Sequence, residues 1–199
     1  MSEGAAGLPI AVVGCDFRVA PSRVRSRLVL DAPRRAELAR ELRGLGAAGG
    51  FVELATCNRN EWIVSGEQPG WAAELLSARM KALAAGDDER PSLRPYVFVG
   101  RDAIEHVLYV AAGARSLVAG ERQIAGQLFA ALERAREEGC ADRALNGLGT
   151  AVGRMLRMAD EAGCRCRTGR GVHSLAVEHV RRRLPAGRGR VAVVGTGSI

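Results

Sequence analysis

Residues 49–66, GGFVELATCNRNEWIVSG, decide how the chain folds, because two apolar runs flank a short polar loop. The first run, 49–56, and the alternating second run, 61–66, predict two β-strands. The loop between them carries a thiol, an amide and a guanidinium, on Cys57, Asn58 and Arg59. A cation beside a thiol favours the reactive thiolate, so this loop is a candidate catalytic site. The alternative for a cysteine at a strand end is a small buried apolar residue.

The surrounding segments place this loop in a mixed fold. The apolar run 8–14 predicts another buried strand, and the basic stretch 15–30 predicts a loop or a short helix. Helical periodicity predicts helices over 31–46, 71–86, 101–113, 121–139, 143–162 and 175–184, with a break at 167–174. Strands mixed with helices, followed by helices alone, predict an α+β fold with an N-terminal α/β domain and a helical second half.

The helix over 31–46 has the clearest sequence signals. Asp31 is suited to cap its N-terminus, Pro33 lies in its first turn, and a glycine follows its last residues. Leu38, Leu42 and Leu45 recur at helical spacing, so they are predicted to share one face of this helix.

Composition describes an ordinary globular protein with 47% apolar and 26% charged residues. No apolar run is long enough to span a bilayer, and residues 1–14 lack the features of a secretory signal. We therefore expect a cytoplasmic protein without a membrane partner. The net charge of +7, carried by arginines and the single lysine Lys81, favours a polyanionic partner such as RNA. A solvated basic surface would give the same charge.

The cysteines do not predict a disulfide framework or a metal site. The chain has 5 of them, an odd number, and a cytoplasmic protein rarely keeps disulfides. Cys164 and Cys166 form a close pair, but neither a second pair nor a histidine follows at zinc-site spacing. The nearest histidine is His173, so a structural or incidental role is the better interpretation.

The last residues, VAVVGTGSI at 191–199, are typical of the start of a dinucleotide-binding unit. An apolar strand leads into Gly195 and Gly197, where missing side chains let backbone amides approach a pyrophosphate. A third glycine and a helix do not follow before Ile199, and a tight turn is the alternative. One strand cannot form a sheet. We therefore expect that residues 1–199 alone do not bind a nicotinamide cofactor. The chain would then be either a truncated piece of a longer protein or a protein that has lost its cofactor domain.

Several segments, in order along the chain, resemble the glutamyl-tRNA reductase family, which makes the first committed tetrapyrrole precursor. They are VGCDFRVAP (13–21), ATCNRNE (55–61), YVFVGRDAIEHVLYVAAG (96–113), GARSLVAGERQIAGQLFAAL (113–132) and VAVVGTG (191–197). The resemblance implies a catalytic domain over 1–165, followed at 166–199 by a linker and the start of an incomplete Rossmann domain. It also implies NADPH as the cofactor of the full-length protein, bound through Gly195 and Gly197.

The resemblance implies a reaction and a set of site residues. A cysteine thiolate attacks glutamyl-tRNA, the resulting thioester is reduced by NADPH, and glutamate-1-semialdehyde leaves. By position the catalytic residues are Cys57 and His106, and Arg59 pairs with the substrate carboxylate. The remaining substrate-binding residues are Thr56, Asn58, Ser116, Glu121, Gln123 and Gln127. The implied partners are tRNA-Glu, a second copy in a full-length homodimer, and a downstream aminomutase.

Other interpretations of these residues stay open. His106 lies in a helical pattern and could simply pack there, while Ser116, Glu121 and Gln123 could cap or cover a helix start. The chain also departs from the family, and several of these departures are implied to lie close to the aminoacyl pocket: Phe17, Arg18, Val19, Ala55, Asn60, Phe98, Arg115 and Arg122. These changes affect side-chain specificity more than acylation. Two rival functions are an acyl transferase or thioesterase that uses Cys57 without reduction, and a non-catalytic tRNA- or protein-binding module.

Overall fold

A four-stranded antiparallel sheet organises the computed structural model, which describes residues 8–86, 93–118, 120–121, 123–164, 172–183 and 192. The strands are β1 (Ile10–Asp16), β2 (Gly50–Ala55), β3 (Arg59–Ser65) and β4 (Tyr96–Val99). Their order across the sheet is β2-β3-β1-β4, which places β1 and β3 at the centre. Every residue of these two central strands is buried, in agreement with their apolar runs.

Seven helices are described, and together with the sheet they confirm the predicted α+β class. They are α1 (Ser22–Arg27), α2 (Ala32–Gly44), α3 (Pro69–Ala85), α4 (Arg101–Ala111), α5 (Gln123–Glu137), α6 (Arg143–Glu161) and α7 (Val172–Arg183). The predicted cap of α2 is also confirmed, because the Asp31 carboxylate accepts a hydrogen bond of 2.9 Å from the Arg34 amide.

Helices cover both faces of the sheet. Side chains three positions apart on a strand point to opposite faces, so Gly50 and Glu53 of β2 mark the two sides. On the Glu53 side, the carboxylate accepts a hydrogen bond from the Leu30 amide just before α2. On the Gly50 side, Leu145 of α6 packs so closely that a Cβ on Gly50 would lie 2.6 Å from its Cδ1. The core lies between these layers and includes Val12, Trp62, Ile63, Leu76, Leu128 and Leu145.

Two strand predictions need correction. Strand β3 begins at Arg59 rather than at residue 61, because Arg59 and Asn60 continue the ladder opposite Asp16 and Cys15. Strand β4 was not predicted at all, since it is a four-residue segment after a polar, proline-bearing stretch. It pairs with β1, so its edge position depends on a contact distant in sequence.

One helix prediction also needs correction. Helix α7 begins at Val172, inside the segment predicted as a break, because no proline interrupts its first turn. In α2, Leu38, Leu42 and Leu45 line one hollow beside α3, which confirms that they share a face. Leu38 and Leu42 are buried, and Leu45, the C-cap residue, is 50% exposed.

The predicted cofactor turn at Gly195 and Gly197 lies outside the described residues, as does Cys166. The division into a domain at 1–165 and a segment at 166–199 therefore stays a prediction. Among the helices in the described part of the chain, none is both long enough and apolar enough to cross a membrane.

Candidate active site

Cys57 lies at the tip of the β2–β3 hairpin and is exposed. The neighbouring backbone is firmly held: the Thr56 amide donates to the Arg59 carbonyl at 2.8 Å. The Thr56 hydroxyl accepts hydrogen bonds from the amides of Asn58 and Arg59, at 3.2 and 3.1 Å. From the end of β1, the Phe17 amide donates to the Asn58 carbonyl at 2.9 Å. The structure therefore presents a thiol-bearing residue to solvent on a fixed turn.

A buried arginine supports the same turn from α1. The Arg25 guanidinium donates from Nη2 to the Cys57 carbonyl at 2.6 Å, and from Nη1 to the Ala20 carbonyl. Arg25 is only 8% exposed, so its positive charge is held next to the Cys57 backbone. Sequence analysis did not identify this residue, because Arg25 is one of many arginines in a basic stretch.

Behind the turn, one carboxylate oxygen gathers three partners. Glu61 Oε1 lies 2.6 Å from Arg59 Nη1, 2.6 Å from the Tyr96 hydroxyl and 2.9 Å from His106 Nε2. Glu61 and Arg59 are almost completely buried, and His106 is 2% exposed. These contacts join β3, β4 and α4 in one polar cluster, which we call the Glu61 cluster.

Electrostatics keep Glu61 ionised inside this cluster. Burial by itself would raise the pKa of this carboxyl, but the hydrogen bond and charge of His106, the charge of Arg59 and the Tyr96 hydroxyl lower it to about 2. Burial and the neighbouring Glu61 charge raise the pKa of the Tyr96 phenol, which therefore stays protonated as a donor. Since Glu61 accepts, His106 Nε2 is the donor of this hydrogen bond, and Nδ1 can accept only when the ring carries a single proton.

A second contact of Arg59 ties the turn to the loop after α4. Arg59 Nη2 donates to the Arg115 carbonyl at 2.6 Å. The Arg115 guanidinium lies 5.7 Å from the ring centroids of Phe98 and of Tyr109. Phe98 in turn stacks on His106, with centroids 4.4 Å apart. The Arg115 side chain and the Glu61 cluster thus belong to one continuous set of contacts.

The structure brings together some of the predicted site residues. Cys57, Thr56, Asn58 and Arg59 share the turn, and His106 reaches it through Glu61. Ser116 is half-buried next to Arg115, and Glu121 is half-buried at the far end of the same loop. Gln123 and Gln127 are exposed on α5, and neither side chain forms a hydrogen bond with another described residue. Their roles in binding substrate stay predictions.

Sequence analysis missed Glu61 and Tyr96 as members of the site. The burial of Glu61 could have been predicted from the sequence. Glu61 lies two residues before the apolar Ile63, so the two side chains point to the same face of β3. Tyr96 carried no comparable signal, since its strand was not predicted. Within the described residues, no group of three or more histidine, cysteine or acidic side chains is arranged to hold a metal ion.

Comparisons with known proteins identify the family of this chain. The family model "Glutamyl-tRNAGlu reductase, N-terminal domain" matches residues 13–161. Glutamyl-tRNA reductase from Synechococcus sp. (strain JA-3-3Ab) is 33% identical over 96% of this chain and 44% of its own length. The enzyme from Heliobacterium mobile is 31% identical over 96% of this chain and 43% of its own length.

A solved structure shows the same likeness in three dimensions. Glutamyl-tRNA reductase from Methanopyrus kandleri matches with a TM-score of 0.61 and 26% identity, over 89% of this chain and 40% of that one. The chain therefore spans less than half the length of these relatives. Since the family model covers most of the chain, the protein belongs to the glutamyl-tRNA reductase family.

Proposed function

We propose that this chain performs the acylation step of a glutamyl-tRNA reductase. The Cys57 thiolate attacks the ester carbonyl of glutamyl-tRNA, a C–S bond forms, and the C–O bond to the tRNA ribose breaks. The released ribose oxygen takes up a proton, and the glutamyl group remains on Cys57 as a thioester. The observation that carries this proposal is an exposed cysteine held on a rigid turn, directly in front of a buried polar cluster.

His106 is the residue we propose for proton transfer. Its Nε2 is bonded to Glu61, and its buried Nδ1 has no hydrogen-bond partner among the residues that the structure describes. A buried nitrogen without a partner is costly, so a functional role for it is worth testing. In this proposal Nδ1 first takes the thiol proton, which leaves Cys57 as the attacking thiolate, and then gives that proton to the leaving ribose oxygen. Glu61 fixes the ring tautomer in which Nδ1 is the acceptor.

The substrate and partners follow from the family and from charge. A net charge of +7 suits a tRNA substrate, and tRNA-Glu is the proposed one. NADPH is the cofactor that the family implies, and it would supply hydride to the acyl group. The residues predicted to hold it, Gly195 and Gly197, lie outside the described part of the chain. A homodimer and a downstream aminomutase that takes up the semialdehyde belong to the same proposal for the longer protein.

The test is acylation of the chain by glutamyl-tRNA, followed by intact mass. The parent chain should gain one glutamyl group, and Cys57→Ser should not form the thioester. Cys164→Ser is a matched control, because Cys164 is also exposed but lies beyond α6. Equal thioester formation by the parent chain and by Cys57→Ser would contradict the assignment.

A further inference from the structure

A groove of about 430 Å³ lies between α5 and α6. Its lining includes the ring of Phe129, the charged side chains of Arg136 and Arg157, and two glycines of α6, Gly149 and Gly153. Ligand sites in proteins usually have volumes of about 300–1,000 Å³. We infer that this groove binds an unpaired nucleotide of RNA, with its base on Phe129 and its phosphate on Arg157. The inference rests on the proposed function, since it takes a tRNA as that RNA.

Phe129 places an aromatic ring on the outer side of α5. Its neighbours Leu128, Ala131 and Leu132 are buried in the core, whereas Phe129 is 39% exposed. Exposed aromatic rings are the usual platforms for unpaired bases, because every base has a flat face that stacks on them. Phe129 therefore offers the apolar contact that a base requires, at the wall of a groove that is open to solvent.

Gly153 leaves room for a flat group beside that ring. A Cβ on Gly153 would have two neighbours within 4 Å, Arg157 Nη1 at 3.7 Å and Phe129 Cζ at 3.9 Å. The guanidinium and the ring therefore border the same space above the backbone of α6. A base packs at about 3.5–4.0 Å from neighbouring atoms, so it can occupy the space that a side chain at this position would fill.

The charged groups that line the groove differ in what they already bind. Arg136 donates to the Glu133 carboxylate at 2.8 Å and to the Asn146 side chain at 2.6 Å, so the acid in the groove has its own partner. Arg157 is exposed, and no hydrogen bond or ion pair joins its guanidinium to another residue in the described part of the chain. A planar guanidinium binds a phosphate through two parallel hydrogen bonds, so Arg157 is the cation available for that group.

The surroundings of the groove favour an RNA strand over a free nucleotide. One ring and one available cation give a single nucleotide few contacts. A strand adds the attraction between its other phosphates and the positive charge of the chain, which is +7 in total. Arg143 and Arg154 of α6 are also exposed and add to this attraction. A tRNA offers both parts of the ligand, because its loops and its 3′ end contain unpaired nucleotides.

The experiment measures binding of the 199-residue chain to a fluorescein-labelled single strand of oligoadenylate RNA by fluorescence anisotropy at low salt. Phe129→Leu keeps an apolar side chain but removes the ring, and it should weaken binding by roughly 10-fold, as expected for one stacked base. Phe129→Trp keeps a ring and should bind at least as tightly as the parent. A duplex RNA should bind equally well to the parent and to Phe129→Leu, because its bases are not free to stack on the protein.

Two further variants have matched controls in the same helix. Gly153→Ala puts a methyl group into the space for the base, so it should weaken binding several-fold while raising the thermal stability of the chain. Gly147→Ala should raise the stability without changing RNA binding, because Gly147 has open space around it and does not line this groove. Arg157→Gln should weaken binding several-fold more than Arg154→Gln, since Arg154 is exposed on α6 but lies outside the groove.

Three outcomes would overturn the inference. The parent chain could fail to bind the strand, or Phe129→Leu and Gly153→Ala could bind it as tightly as the parent. Equal losses in Arg157→Gln and Arg154→Gln would indicate a general basic surface. Displacement of the strand by AMP at an equal nucleotide concentration would make the groove a site for a free nucleotide instead. Failure of the proposed function is a separate result, because Cys57→Ser concerns the thioester and should leave RNA binding unchanged.

Discussion

Gly14 lies directly opposite Glu61 in the β1–β3 ladder, and a Cβ on Gly14 would come within 2.7 Å of Glu61 Cγ. The missing side chain on the central strand is what leaves room for a buried carboxylate between β1 and α4. The Glu61 cluster therefore depends on a glycine of β1 as well as on its charged members. Since the Phe17 amide, one residue past β1, donates to the Asn58 carbonyl of the Cys57 turn, one strand supports both parts of the site.

We predict that Gly14→Ala destabilises the fold by about 1–3 kcal/mol, the usual cost of overpacking a well-filled core. The added methyl group must displace the Glu61 side chain, since the other two near atoms belong to the backbone, the Asn60 carbonyl oxygen at 2.9 Å and Glu61 Cα at 3.1 Å. Urea unfolding measures the effect. Gly147→Ala is the control, because Gly147 lies inside α6 with open space around it. It should stabilise the chain by up to about 1 kcal/mol. Equal stability of Gly14→Ala and the parent would contradict the prediction.

We predict a larger loss, about 3–5 kcal/mol, for Glu61→Gln. The amide keeps the shape of the side chain but leaves Arg59 buried without a counter-ion. Glu133→Gln removes the carboxylate of an exposed pair with Arg136 and should change the unfolding free energy by less than about 1 kcal/mol. The midpoint of urea unfolding at neutral pH compares the two. A small effect of Glu61→Gln would mean that Arg59 finds another partner.

The pH dependence of stability should carry the signature of Glu61. Its pKa is lowered from 4.5 to about 2 in the folded chain, so the stability it contributes is complete above its unfolded pKa. That contribution is lost as the pH falls from about 4.5 towards 2. Glu53 has the opposite effect on stability. Burial raises the pKa of its carboxyl, so the folded chain binds this proton more tightly than the unfolded chain and acid increases the stability. The unfolding free energy of the parent minus that of Glu61→Gln, measured at each pH, isolates the contribution of Glu61. This difference in free energy should shrink in this acid range.

The main strands and helices could be predicted because each has a clear local sequence pattern. Buried apolar runs identified β1, β2 and most of β3, and the cap at Asp31 located the start of α2. Strand β4 could not be predicted in this way, since its residues alternate between half-buried and exposed at the sheet edge. Its pairing with β1 joins residues that are far apart in the chain, and no local pattern encodes that contact.

The sequence predicted which residue types form the candidate site, but not which side chains bind each other there. Cys57 and Arg59 were identified as a pair because they lie close together in one loop. The sequence did not show that Arg59 would be neutralised by Glu61, because Arg59 was predicted in the loop and Glu61 at the start of the following strand. In the structure they share one face of β3, and burial there forces each charge to find a partner. Local spacing thus brought Cys57 and Arg59 to notice, whereas tertiary burial decided which partner Arg59 binds.

The last prediction concerns Arg25 and the geometry of the nucleophile. Arg25→Met should remove the hydrogen bond to the Cys57 carbonyl and leave a less rigid turn, at a cost of about 1–3 kcal/mol. A small displacement of a reacting atom can lower a rate by about 100-fold, so acylation should fall much more than stability. Alkylation by iodoacetamide should fall less, because that small reagent needs no defined approach.

Arg27→Met is the matched control, because Arg27 is in the same helix, α1, but bonds to the Ala84 carbonyl at the end of α3. It should leave both rates close to those of the parent. The comparison separates positioning from folding: a folded Arg25→Met chain that alkylates Cys57 readily but acylates slowly shows that Arg25 places the turn. If the two reactions instead slow by the same factor, Arg25 affects only the exposure of the thiol. If neither slows, Thr56 and β1 alone hold the turn in position.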